Sequence, residues 1–86
     1  MKVYKLKILP EYYKAQIEGK KNFEIRKNDR GYQVGDWILL KEYNPEIKKF
    51  TGRKVTVEVT YITNYQQKDG YVVLGTKYIK EWVKWR

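Results

Sequence analysis

With 86 residues the chain has room for one domain and a thin core, and it contains no cysteine, histidine or serine. Those absences exclude disulfide staples, thiolate zinc sites, Ser-His-Asp triads, Cys-His dyads and a histidine general base. The formal charge of +9, from 19 Lys and Arg against 10 Asp and Glu, suits a polyanionic partner, nucleic acid above all, although solubility alone also explains surplus lysine. No apolar run reaches the length of a transmembrane helix. Met1–Leu9 alternates with lysine too regularly for a signal peptide, so a cytoplasmic protein is expected.

In chain order, Tyr4, Leu6 and Ile8 alternate with Lys5 and Lys7, the period of a half-buried first strand. Pro10 suits the first helical position, and Glu11 lies on the favourable side of the helix dipole. Tyr13 and Ile17 share a helical face and Gly19 offers a left-handed stop, which predicts a short helix over Pro10–Glu18. After the turn-rich passage Gly31–Asp36, Trp37–Leu40 is apolar on both faces and predicts a central, well-covered strand that continues to Tyr43. Asn44-Pro45-Glu46 opens a long hairpin connection that closes at Thr51-Gly52. Its return strand alternates Val55, Val57, Val59 and Tyr61 with Lys54, Thr56, Glu58 and Thr60.

A loop over Asn64–Gly70 leads to a last apolar strand, Tyr71–Leu74, stopped near Gly75. The tail Lys77–Arg86 then changes period. Tyr78, Ile79, Trp82, Val83 and Trp85 fall on one helical side, which predicts a C-terminal amphipathic helix over an open end of the sheet. A second reading gives Trp82 and Trp85 a nucleic-acid-stacking or dimerising role. Five strands with one helix between the first and second suggest a small mixed barrel that buries both faces of Trp37–Leu40.

Gly19–Arg30 concentrates ionisable side chains around two apolar ones. Phe23 and Ile25 alternate with Asn22, Glu24 and Arg26, so a strand would turn Phe23 and Ile25 to the core and set Glu24 beside Arg26 on its polar face. Lys20 or Lys21 would enter at one end of this face, and Asn28, Asp29 and Arg30 would leave at the other. The bland reading of the same pattern is a solvated face with weak ion pairs.

The run Gly19-Lys20-Lys21-Asn22-Phe23-Glu24-Ile25-Arg26 resembles the G-x-K-x-x-E-x-R signature of ASCH domains in the PUA-like superfamily. Further blocks resemble the DUF3850 branch. They are Leu6-Lys7-Ile8, Phe23 through Arg30, Val34-Gly35-Asp36, Thr51-Gly52-Arg53, Val59 through Ile62 and Gly70 through Gly75, in an unbroken order within a resemblance that covers about residues 4–76. The resemblance implies an α+β, mostly β, mixed five- to six-stranded pseudobarrel with one short helix between strands 1 and 2. It also implies a cleft beside helix and signature strand that holds RNA or a nucleotide. By position, Lys21, Glu24 and Arg26 would be the polar residues of that cleft, with Lys20 as a cationic neighbour and Asn28, Asp29 and Arg30 extending it. Tyr4 stands where the branch often has histidine.

The leading expectation is an RNA- or nucleotide-binding module, with Tyr32, Tyr43 or Tyr65 available to stack a base and Arg26 or Arg30 to clamp a phosphate. The alternative is a small metal-independent hydrolase acting on RNA or an acylated nucleoside. Lys21 would be its base or nucleophile beside Glu24, with Glu42 or Glu58 as a candidate second carboxylate. The amidohydrolase relatives have threonine where Glu24 stands, so that machinery would be altered here. A third reading is a basic adaptor for other proteins. No cofactor is expected, and Asp29, Asp36 and Asp69 lie in separate loops without cation-site spacing. Oligomeric state is open, with the monomer as default.

Overall fold

The computed structural model describes residues 1–82. The elements in order are β1 (Val3–Ile8), α1 (Pro10–Ile17), β2 (Phe23–Lys27), β3 (Trp37–Asn44), β4 (Lys49–Thr63) and β5 (Tyr71–Trp82). One five-stranded sheet has the order β1-β3-β4-β5-β2, in which β1 and β3 are parallel and all other neighbours antiparallel. The sheet curls into a mostly β half-barrel whose edges are β1 and β2. The helix runs from one edge to the other, and its inner side packs on β3, β4 and β5.

The core lies on the concave face. Ile38 and Leu40 from β3 meet Val55, Val57 and Val59 from β4, joined by Val72 and Leu74 from β5, Ile8 from β1 and Tyr13 from α1. Removing each of these aliphatic side chains from water is worth roughly 1.5–3 kcal/mol. The helix begins at Pro10 and ends with Glu18 as its C-cap, and Gly19 then turns the chain with φ +75°. The short helix and its left-handed stop therefore follow the sequence expectation to within a residue.

Four expectations are corrected. Residues Lys77–Trp82 extend β5 rather than forming a helix, and the rest of the expected helix, 83–86 with Val83 and Trp85, lies outside the described residues. The helical spacing of Tyr78, Ile79 and Trp82 comes from a bulge. The register slips between Thr56 and Val57, leaving Ile79 as the extra residue on β5, and an inserted residue breaks the period of two. The long β4 offers backbone partners along this whole stretch, and pairing them outweighs a weak helical pattern.

Gly75 likewise does not stop the strand. A Cβ there would approach Thr60 Oγ1 to 3.0 Å, so glycine permits a close strand crossing at a second bulge. The third correction concerns Trp37–Leu40. The sheet does not close, so Ile38 and Leu40 are fully buried while Trp37 and Leu39, on the convex face, stay half-exposed. The β3–β4 connection is also tighter than expected, turning at Pro45–Lys48 with Lys48 at φ +53°.

Candidate functional site

β2 is an edge strand that pairs, among the described residues, with β5 alone, and the register decides where its side chains go. Glu24 lies opposite Leu74 and Arg26 opposite Val72, both on the concave face. Phe23 and Ile25 pair with Gly75 and Val73 and stand outside. The strand is thus inverted relative to the expectation of a dry Phe23/Ile25 face. Glu24 is 4% exposed, whereas Phe23 and Ile25 are 41% and 52% exposed. At the barrel's edge the concave side is not dry core but the gap between β2 and β1. There Glu24 and Arg26 find hydrogen-bond partners that the apolar pair could not use.

Glu24 is the centre of that arrangement. Its Oε2 accepts from Lys21 Nζ at 2.5 Å and from Gln16 Nε2 at 2.9 Å, and its Oε1 accepts from Arg26 Nη2 at 3.0 Å. Gln16, buried on the inner side of α1, also donates to the Phe23 carbonyl at 3.2 Å. Lys21 Nζ donates to the same carbonyl at 2.8 Å, which commits two of its three N–H groups. Its ammonium also lies 5.0 Å from the Phe23 ring centroid and 5.5 Å from that of Tyr12. Arg26 Nη2 reaches across the gap to the Lys7 carbonyl at 2.9 Å, so a side chain of one edge strand fastens to the backbone of the other. The Nε of Arg26 is buried with no hydrogen-bond partner among the described residues.

These groups floor a groove of about 440 Å³. One wall is Lys7, Ile8 and Leu9 at the end of β1, with Tyr12 from the first turns of α1. The other is Phe23 and Ile25. Leu9, Tyr12, Phe23 and Ile25 are all exposed there, giving the charged floor an apolar and aromatic rim. Lys21 and Arg26 outnumber Glu24, so the groove is cationic. Such a site offers a planar guanidinium fork, a spare ammonium N–H and aromatic faces.

The other residues expected at the site lie elsewhere. Lys20 pairs with Glu18 at 3.2 Å on the exposed side of the helix end. The Asn28 amide donates to the Gly70 carbonyl, and its side chain accepts from the Tyr32 amide. Asn28 borders a different hollow, shared with Gln67 through Val72. Asp29 and Arg30 are exposed, 3.9 Å apart. Tyr4 packs edge-on against buried Tyr32 and donates to the Arg30 carbonyl at 3.1 Å, and it does not line the groove. Of the tyrosines singled out for stacking, Tyr32 is buried, Tyr43 stands on the convex face and Tyr65 is exposed in the β4–β5 loop.

Gln16, Tyr12 and Leu9 were missed from sequence. Gln16 follows Tyr13 at i+3, which puts both on one helical face, and that spacing was the available signal.

The Glu42 alternative belongs to a second cluster. Its buried carboxylate accepts two bonds from Arg53, at 3.0 and 3.2 Å, and one from Thr51 Oγ1 at 2.6 Å. Burial pushes the Glu42 carboxyl upward, but these hydrogen bonds outweigh it and hold it below the usual carboxylate range. The Arg53 guanidinium lies over the Tyr13 ring, and the Tyr13 hydroxyl donates to Glu81 Oε2 at 2.6 Å. Burial, then the bond to Glu81, raises the Tyr13 phenol well above its ordinary value. Glu58 stands on the convex face opposite Trp37.

A protein of Escherichia phage P2, described as an uncharacterized 12.9 kDa protein in the GpA 3' region, is 38% identical over 74 residues. The match covers 85% of this chain and 66% of that protein, so the chain spans just under two thirds of the relative's length. The family model described as a domain of unknown function, DUF3850, matches residues 3–76. That match takes in β1, the helix, the whole of β2 and both clusters apart from Glu81, and the chain belongs to the DUF3850 family.

Proposed function

We propose that this DUF3850 domain is an ASCH-type, PUA-like module that binds RNA or a nucleotide in the groove between β1 and β2. The observation that carries this reading is an assembled but unsaturated array. Glu24 holds Lys21 and Arg26 at fixed positions, while Arg26 Nε and one Lys21 N–H have no partner among the described residues and lie beside an aromatic rim. A phosphate or carbonyl oxygen suits those donors, and a base suits Tyr12 and Phe23. In this reading Glu24 is a positioning residue, because its oxygens are already engaged by Gln16, Lys21 and Arg26.

The test is a titration with free nucleosides, nucleotides and short single-stranded RNAs at near-physiological salt, where non-specific binding to a basic protein is weak. Saturable binding lost in Lys21→Ala and Arg26→Ala, with no new product by mass spectrometry, supports the module. A product that disappears with Lys21→Ala favours the hydrolase instead, with Lys21 acting on a bound acyl or phosphoryl group. Binding indifferent to both substitutions sinks the groove reading.

A further inference from the structure

The convex face of the sheet has a different chemistry from the groove, and it faces away from the helix. Alternation along β1, β3, β4 and β5 puts Lys5, Lys7, Lys41, Lys54, Lys77 and Lys80 on this face, while Glu58 is the one acidic side chain of the described strands that shares it. Charge that lopsided on a flat surface attracts a polyanion.

The lysines are interleaved with aromatic rings. Lys7 Nζ stands 4.5 Å from the Tyr43 ring centroid, Tyr43 meets Phe50 edge-on at 5.1 Å, and Lys41 Nζ stands 4.7 Å from the Phe50 centroid. Across the sheet Lys80 Nζ lies 4.0 Å from the Trp82 ring, which donates to Thr56 Oγ1 at 3.1 Å. Between these two groups is a hollow of about 310 Å³, formed by Val3, Trp37, Leu39, Thr56, Lys54 and Trp82. Trp82 is 43% exposed and Val3 54%, so a sizeable apolar area stands open among the charges.

We infer that this convex face is a second binding surface, a platform for single-stranded polynucleotide on which Trp37 and Trp82 take unpaired bases while the lysines track the phosphodiester backbone. Aromatic faces accept any base, and lysine ammonium groups make contacts without base preference, so the surface is sequence-tolerant. A duplex keeps its bases stacked inside and gains only the lysine contacts. A single strand gains both. The inference does not need the groove to bind anything, since none of the residues that form the convex hollow lines the groove.

The experiment uses the full chain, with short oligouridylate as the probe and tryptophan fluorescence as the readout. Oligouridylate should quench the fluorescence. The triple variant Lys41→Gln, Lys54→Gln, Lys80→Gln should weaken that binding by roughly tenfold or more and reduce the slope of log affinity against log salt by about 2. None of those three lysines lines the groove, so mononucleotide binding there should survive in the triple variant. Trp82→Ala should remove part of the quench, and the lysine variant keeps the test usable if Trp82→Ala unfolds. The inference is overturned if the triple variant binds oligouridylate like the wild type. It is equally overturned if a duplex binds as tightly without quenching, or if Lys21→Ala alone removes all oligouridylate binding.

Discussion

The two buried glutamates make an instructive pair. Glu42 and Glu24 both project onto the concave face, both are almost wholly buried, and each is gripped by an arginine and a second donor. Around Glu42 no buried donor or acceptor is left over among the described residues. Arg53 spends two donors on one carboxylate and rests on Tyr13, and Tyr13 is spent on Glu81. Around Glu24 the matching is incomplete, because Arg26 Nε is buried without a partner among the described residues and the cluster opens into a groove. A saturated cluster fixes structure, whereas an unsaturated one beside a cavity has capacity left for a ligand. Burial alone does not separate the two; the balance of donors does.

The sharpest way to break this comparison is to remove each carboxylate. Glu24→Ala should destabilise the fold by about 3 kcal/mol, since it strands Lys21 and Arg26 without a counter-charge, and Glu42→Ala by less. The exposed position of Arg53 lets water recover part of the loss at Glu42. Only Glu24→Ala should also abolish nucleotide binding. Urea unfolding followed by ligand titration checks both halves, and loss of binding in Glu42→Ala at unchanged stability would reverse the roles assigned here.

The pH dependence sharpens the Glu42 side. Its folded carboxyl titrates below the ordinary range, so the stability it contributes is present above about pH 4.3 and is lost as pH falls through its folded value. Tyr13 acts at the other extreme. Above about pH 10 the unfolded chain loses the phenol proton that the folded chain keeps, so stability falls as pH rises further, by about 1.4 kcal/mol per pH unit. Melting curves against pH should show both limbs. Glu42→Gln should flatten the acid one, and Tyr13→Phe should make the alkaline one shallower, leaving a remainder from Tyr32, whose phenol burial also raises.

The smallest effects come from neighbouring lysines. Lys21→Ala should weaken nucleotide binding at least tenfold, since it removes one of the groove's cations. Lys20→Ala, in an exposed pair with Glu18, should change neither binding nor melting temperature measurably.

Much of this was legible in the sequence. Pro10 and Gly19 bracketed the helix, and Val55, Val57 and Val59 marked the inner face of β4 because alternation is a local property. Lys21, Glu24 and Arg26 were picked out together, and the structure brings them within hydrogen-bonding distance. What periodicity could not supply was direction. Alternation says that Phe23 and Glu24 face opposite ways, but which way is inward depends on pairing with β5, some fifty residues later. The same blindness applies to Ile79, where a single inserted residue made a strand look helical. Gln16 escaped notice because a buried glutamine earns its place through Glu24 and Phe23, neither of which is on its own element.

The strand order also governs when the groove can exist. β2 leaves the ribosome well before β5, its one strand partner among the described residues, with Phe23 set against Gly75, whereas β3 and β4 can pair as soon as their hairpin is made. Closing so long a loop is entropically slow, so the groove should be among the last features to form, after the hairpin has nucleated the core. Until then β2 waits as a segment rich in charge, held in solution by the same Glu24, Arg26 and Lys27 that later face the site or flank it. A nascent chain therefore acquires its groove only once β5 has been made, and a chain truncated before β5 would keep the sequence of the site without its shape.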